Sequence, residues 1–161
     1  ELFSKQQILF LCGLASAALL TAAFGFEYLG GLAPCKLCLW QRWPHAGVIV
    51  FCLMGTTGAL RSGPVFLMIA LCAAVTAIIA SYHVGVEQQL WQGPTSCSGA
   101  LNSMSASDLL DSLLATPVVR CDEIAWSFAN ISMAGWNMLF SSGLACFALL
   151  AYRKTLSLIH I

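Results

Sequence analysis

The sequence predicts an all-α membrane protein: a bundle of four transmembrane helices with a short amphipathic surface helix in its second outer loop. Two observations carry this reading. Of 161 residues, 59% are hydrophobic and 9% are charged, against about 25% charged in soluble domains. The apolar residues also gather into four long runs, each near the ~20 residues that cross ~30 Å of hydrocarbon. A chain of this length makes one domain, so residues 1–161 are expected to form a single four-helix membrane unit. The formal net charge is zero, which gives no electrostatic footprint for nucleic acid.

The first run covers residues 8–28 and is long enough to span, so it reads as a membrane helix and not as a cleaved signal. Residues 30–42 follow as a short polar loop. The second run covers residues 43–60 and is the shortest; Pro44 near its start suits a first helical turn and places the helix start near Trp43. Arg61-Ser62-Gly63-Pro64 reads as a tight turn. The third run covers residues 65–86, a long loop occupies 87–130, and the fourth run covers 131–152. All are helices because a lone segment in lipid must satisfy its own backbone hydrogen bonds. Small residues such as Gly13, Ala17, Ala73 and Ala77 allow close helix packing. Within the long loop, Ser105-Ala106-Ser107-Asp108 resembles a capping box. Leu109, Leu110, Leu113 and Leu114 follow at helical spacing, and Thr116-Pro117 ends the segment. This is the expected surface helix, lying on lipid or on the bundle.

Four spans place both polar loops on one side, and the termini and tight turn on the other. The terminal side carries Lys5, Arg61, Arg153 and Lys154, and the loop side carries Lys36, Arg42 and Arg120. That bias points the termini to the cytoplasm.

Eight cysteines divide by location. Cys12, Cys52, Cys72 and Cys146 lie inside apolar runs, where a thiol acts as a small hydrophobe. Cys35, Cys38, Cys97 and Cys121 lie in polar segments, which suggests disulfides in an oxidising compartment. Cys35-Lys36-Leu37-Cys38 is a C-x-x-C pair at the lip of a span. Thiol exchange needs a thiolate with access, and a helix N-terminus with Arg42 four residues after Cys38 favours one. Spacing alone leaves alternatives open: a four-thiolate zinc site, purely structural disulfides, and an Arg42 that snorkels to lipid headgroups. His83 is a further candidate, since an imidazole near an outer helix end can hydrogen-bond a ligand or move a proton; Glu87 can share its face. No haem, flavin or cluster motif is present, so a redox-active pair here calls for a lipid-soluble acceptor such as a quinone.

Pro34-Cys35-Lys36-Leu37-Cys38-Leu39-Trp40-Gln41-Arg42 resembles the C-x-L-C-x-x-Q-R signature of the bacterial disulfide bond formation protein B (DsbB) family. Gly93 to Cys97, Cys121 to Trp126 and Ile131 to Asn137 also resemble it, so the likeness runs along the whole chain. The resemblance implies a disulfide-generating oxidoreductase of the bacterial inner membrane, with cytoplasmic termini and periplasmic cysteine loops. A DsbA-like thioredoxin-fold partner would attack a Cys97–Cys121 disulfide at Cys97. Cys121 would relay to Cys35, and Cys38 with Arg42 would face ubiquinone or menaquinone, walled by aromatic residues such as Trp40 and Trp43. The segment between Cys97 and Cys121 is leucine-rich where the best-known members are rich in Pro and Trp, which leaves the partner-docking surface unassigned. Two competing readings are a vitamin K epoxide reductase-like oxidoreductase and a non-enzymatic membrane protein with structural disulfides. The first places its C-x-x-C late in the bundle, and the second leaves the signature unexplained.

The relay predicts that Cys38→Ser abolishes quinone reduction while the Cys97–Cys121 bond, read by thiol labelling under non-reducing conditions, stays intact. Unchanged quinone reduction would exclude the mechanism.

Overall fold

The computed structural model describes residues 3–94 and 119–157. Helix α1 spans Lys5–Tyr28, α2 Lys36–Thr56, α3 Ser62–Glu87 and α4 Met133–Ser157. A two-residue antiparallel pair precedes α4, β1 (Ser127–Phe128) with β2 (Ile131–Ser132). The expected surface helix around residues 105–114 lies outside the described residues.

Helix α3 packs against both α2 and α4, and α1 lies against α2. A core of Leu9, Cys12, Val48, Phe66, Ile69 and Leu144 fills the end near the chain termini. Outward faces are as apolar as the inside: Phe10 is 66% exposed, Ile78 68% and Leu150 64%. A soluble bundle turns polar residues outward, so these surfaces suit lipid. By length and composition α1, α3 and α4 are each able to cross a membrane. Helix α2 has 21 residues, but Lys36, Gln41, Arg42 and His45 crowd its first half. It therefore falls short of the same apolar standard.

Three boundaries differ from expectation. Helix α2 starts well before residue 43, because the Cys35 side chain caps it by accepting from the Cys38 N–H. Residues 36–42 are thus helical and not loop, and Pro44 sits inside the helix. There it removes one backbone donor, and the Thr76 hydroxyl of α3 braces the same stretch by donating to the Gln41 carbonyl at 3.1 Å. The turn between α2 and α3 occupies residues 57–61, with Gly58 at φ +74°, and Ser62 to Pro64 already belong to α3. The early part of the expected fourth run is the small hairpin. Its central residues Ala129 and Asn130 have φ of 51° and 61°, the left-handed geometry of a tight two-residue turn.

The C-terminal ends of α1 and α3 and the N-terminal ends of α2 and α4 meet at one end of the bundle, where Cys35, Leu37, Val86 and Cys121 form a second buried cluster. Close by, Trp91 folds back on α3. Its ring stacks on Tyr82 at 5.9 Å and its Nε1–H donates to the Tyr82 carbonyl at 2.9 Å. Gly85 makes this possible, since a Cβ there would lie 2.0 Å from the ring. Gly85→Ala should therefore expel Trp91 and cost about 1–3 kcal/mol, read as a lowered thermal midpoint in detergent.

Candidate redox site

The site begins at the N-terminus of α2. Cys35 is the N-cap, and its sulfur accepts from the Cys38 N–H at 3.4 Å. The two sulfurs are 3.2 Å apart, and both residues are free thiols. Cys38, Gln41, Arg42 and His45 sit at i, i+3, i+4 and i+7, so they share one face of α2.

From α3, His83 reaches the pair. Its Nε2 lies 3.6 Å from the Cys35 sulfur, and its Nδ1 lies 3.1 Å from Gln41 Nε2. Glu87, one turn further, has a carboxylate oxygen 3.9 Å from His83 Nε2 and accepts from the Ser132 hydroxyl at 2.5 Å. Cys121 is fully buried in the same cluster as Cys35, is disulfide-bonded, and its main chain hydrogen-bonds His83. Cys97 lies outside the described residues. The Cys35, Cys38 and His83 ligand atoms all lie within 4.8 Å of one another, a set that a thiophilic cation would also favour.

Arg42 is held between α1 and α2. Its guanidinium pairs with Glu27 at 2.5 Å, with both side chains largely buried, and lies 4.7 Å from the Phe24 ring centre. Among the described residues its Nε is the one buried side-chain nitrogen or oxygen without a hydrogen-bond partner. A headgroup-snorkelling arginine would place that group in water.

On the other side of Cys38 and Arg42 opens a cavity of about 420 Å³ between α1, α2, the hairpin and α4. Its wall is apolar except for Cys38, Gln41, Arg42, His45 and Asn137. Aromatic rings close it in sequence: Phe26 on Trp126 at 4.9 Å, Phe128 near Trp136 at 6.3 Å, and Trp136 on Phe140 at 5.7 Å. A cavity of this size with a few convergent polar groups is the usual form of a small-molecule site.

A dithiol, a disulfide and an apolar cavity at one end of a membrane bundle narrow the comparison with known proteins. The family model described as "Disulfide bond formation protein DsbB" matches residues 5–151. The chain belongs to the DsbB family. It is 34% identical over 151 residues to a disulfide bond formation protein B of Xanthomonas axonopodis pv. citri, covering 88% of this chain and 87% of that one. It is likewise 34% identical over 145 residues to a disulfide bond formation protein B 2 of Pseudomonas savastanoi pv. phaseolicola, covering 86% and 82%. No solved structure matches. This DsbB-family chain is thus a membrane protein of disulfide bond formation, a disulfide-forming oxidoreductase in general class.

Within this DsbB-family site, Cys35, Cys38, Arg42 and Cys121 come together at one end of the bundle. His83 is not among the residues lining the cavity; its imidazole is turned to Cys35. Trp40 and Trp43 do not line it either: Trp43 is 77% exposed and Trp40 lies under Lys36. The tryptophans that do are Trp126, just before the hairpin, and Trp136 on α4. Sequence reasoning missed Gln41, His45 and Asn137 as cavity residues, and did not pair Glu27 with Arg42. The spacing 38, 41, 42, 45 was the available signal, hidden by starting the helix at Trp43.

Cys35 has a thiol pulled down to about 4. The Cys38 thiol hydrogen bond is the largest cause, burial opposes it, and His83 adds to the lowering. A lowered thiol is ionised above that value and protonates as pH falls through it. In the reduced protein, thiolate ultraviolet absorbance should therefore rise with a midpoint near pH 4. It should vanish in Cys35→Ser and shift to higher pH in Cys38→Ala.

Proposed function

We propose that this chain takes two electrons and two protons from the dithiol of a DsbA-like thioredoxin-fold protein and delivers them to a membrane quinone, ubiquinone or menaquinone. The observation that carries the reading is the orphaned Arg42 Nε–H in the wall of an apolar cavity that also exposes the Cys38 sulfur. A buried donor without a partner costs about 1–3 kcal/mol, and a ligand oxygen would remove that cost. A quinone supplies a flat apolar ring, carbonyl oxygens and a two-electron, two-proton acceptor. The residues fit it: Phe26, Trp126 and Trp136 offer ring faces, and Arg42 offers positive charge.

The protein steps balance as thiol–disulfide exchange. The partner's thiolate attacks Cys97, the Cys97–Cys121 bond breaks, and Cys121 leaves as a thiolate. Closure of the partner's own disulfide then frees Cys97 as a thiol. Cys121 attacks Cys35 of an oxidised Cys35–Cys38 pair, and Cys38 leaves as a thiolate at the cavity wall. Cys97 then attacks Cys121, which restores that disulfide and frees Cys35, and the Cys35–Cys38 dithiol gives two electrons and two protons to the quinone as its own disulfide re-forms. His83 serves Cys35 in this scheme, holding its charge by hydrogen bonding. We take α2 as the fourth span, since the apolar faces of α1 and α3 flank it and its polar residues turn into the bundle. Lys5, Arg61, Arg153 and Lys154 favour cytoplasmic termini, which puts the cysteine end in the periplasm of a bacterial inner membrane.

The test is quinone-dependent oxidation of a reduced DsbA-like protein by the purified chain in detergent; its absence in wild type would overturn the proposal. Arg42→Ala should raise the KM for quinone about tenfold or more, with the reaction of the partner at the Cys121 disulfide unchanged. Equal loss of thermal stability and quinone use would instead mark Arg42 as a packing residue.

A further inference from the structure

Behind the cavity wall runs a directed set of hydrogen bonds, and its direction leaves over a second amide N–H on Gln41 and another on Asn137. His83 Nε2 faces two acceptors, the Cys35 sulfur at 3.6 Å and a Glu87 carboxylate oxygen at 3.9 Å, so it carries the ring proton. His83 Nδ1 is then an acceptor, so Gln41 presents its N–H to it at 3.1 Å. Gln41 Oε1 therefore faces the other way and accepts from Asn137 Nδ2 at 2.6 Å. Asn137 Oδ1 in turn accepts from the Ser141 hydroxyl at 3.1 Å and from His45 Nε2 at 3.0 Å. His45 Nδ1 is left to accept from Ser16, at 3.3 Å.

A primary amide nitrogen carries two protons. Asn137 uses one on Gln41, and its side chain lines the cavity. Gln41 is next to Arg42 on α2, whereas Asn137 stands on α4. Arg42, paired with Glu27 of α1, and Asn137 therefore line the cavity from its α1 side and its α4 side.

We propose that Asn137 is a second binding residue of the cavity, its remaining N–H donating to the carbonyl oxygen of a bound 1,4-quinone opposite the oxygen held at Arg42. The inference rests on the quinone reading above. It adds that the site selects a ring with two opposed acceptors, and that Gln41, His45 and Ser141 are positioning residues fixing the amide's orientation.

The cavity's own Trp126 and Trp136 give a readout independent of turnover. Binding of decylubiquinone to the air-oxidised full chain in detergent is followed by tryptophan quenching, beside an aryl monoketone of the same ring size. In Asn137→Leu, decylubiquinone binding should weaken about tenfold, the loss of one buried hydrogen bond, with monoketone binding unchanged. Asn137→Asp keeps the acceptor for His45 and Ser141 but brings no amide N–H, and should give the same loss. Unchanged decylubiquinone binding in these variants, or equal weakening for both ligands, would overturn the proposal. So would failure of both variants to fold, which would mark the amide as purely structural. Saturable binding to wild type with an indifferent Asn137 removes this inference alone. No saturable binding and no quinone turnover in wild type removes the quinone reading, and this inference with it.

Discussion

One thread of hydrogen bonds ties the four helices together, and the site hangs from it. It runs from Cys35 at the head of α2 to His83 on α3, back to Gln41 on α2, across to Asn137 on α4, to His45 on α2 and on to Ser16 on α1. Gln41, His45, His83 and Ser16 are all buried. Between membrane helices apolar packing discriminates poorly, because lipid tails are as apolar as leucine. Polar groups in such a place must find partners or cost several kcal/mol each. Each bond adds only ~0.6 kcal/mol in a membrane bundle, yet together they set the rotation of all four helices. A helix turned by one residue would leave several of these groups unpaired.

That constraint also shapes the cavity. Helix α1 leans on α2 through Ser16–His45 and Arg42–Glu27, and α4 reaches α2 through Asn137. What remains between α1 and α4 is a gap with α2 as its floor, roofed by the hairpin's aromatic rings. The dithiol lies where the floor meets the buried cysteine cluster, so Cys38 faces the apolar gap while Cys35 faces Cys121 and His83. Two adjacent sulfurs on one helical turn thus look into different environments.

Much of this was legible in the sequence. Apolar runs of spanning length mark the positions of α1, α3 and α4, because lipid imposes the same composition on every helix that crosses it. Cys35, Cys38, Arg42 and Cys121 stand out because thiols and a guanidinium are rare and costly in an apolar chain. The deep polar residues were harder to see. Gln41, His45 and Asn137 each look like isolated polar positions, and only the rotation of α2 against α4 reveals them as partners. The start of α2 was misplaced because Pro44 reads as a first-turn residue, whereas the Cys35 cap and the Thr76 hydroxyl let the helix begin two turns earlier. The hairpin before α4 was invisible for a different reason: Ala129 is a poor advertisement for a left-handed turn.

Cys35 has two duties that conflict. As N-cap it holds the first turn of α2, its sulfur accepting the Cys38 N–H. An anionic sulfur suits the positive end of a helix; a sulfur committed to a covalent bridge keeps its lone pairs but gives up its full charge. Each change in the bonding of Cys35 is therefore also a loosening or tightening of the helix end that carries Cys38, Gln41 and Arg42. The start of α2 acts as a mechanical gauge of the sulfur's valence state, and its fraying should follow the oxidation of the pair.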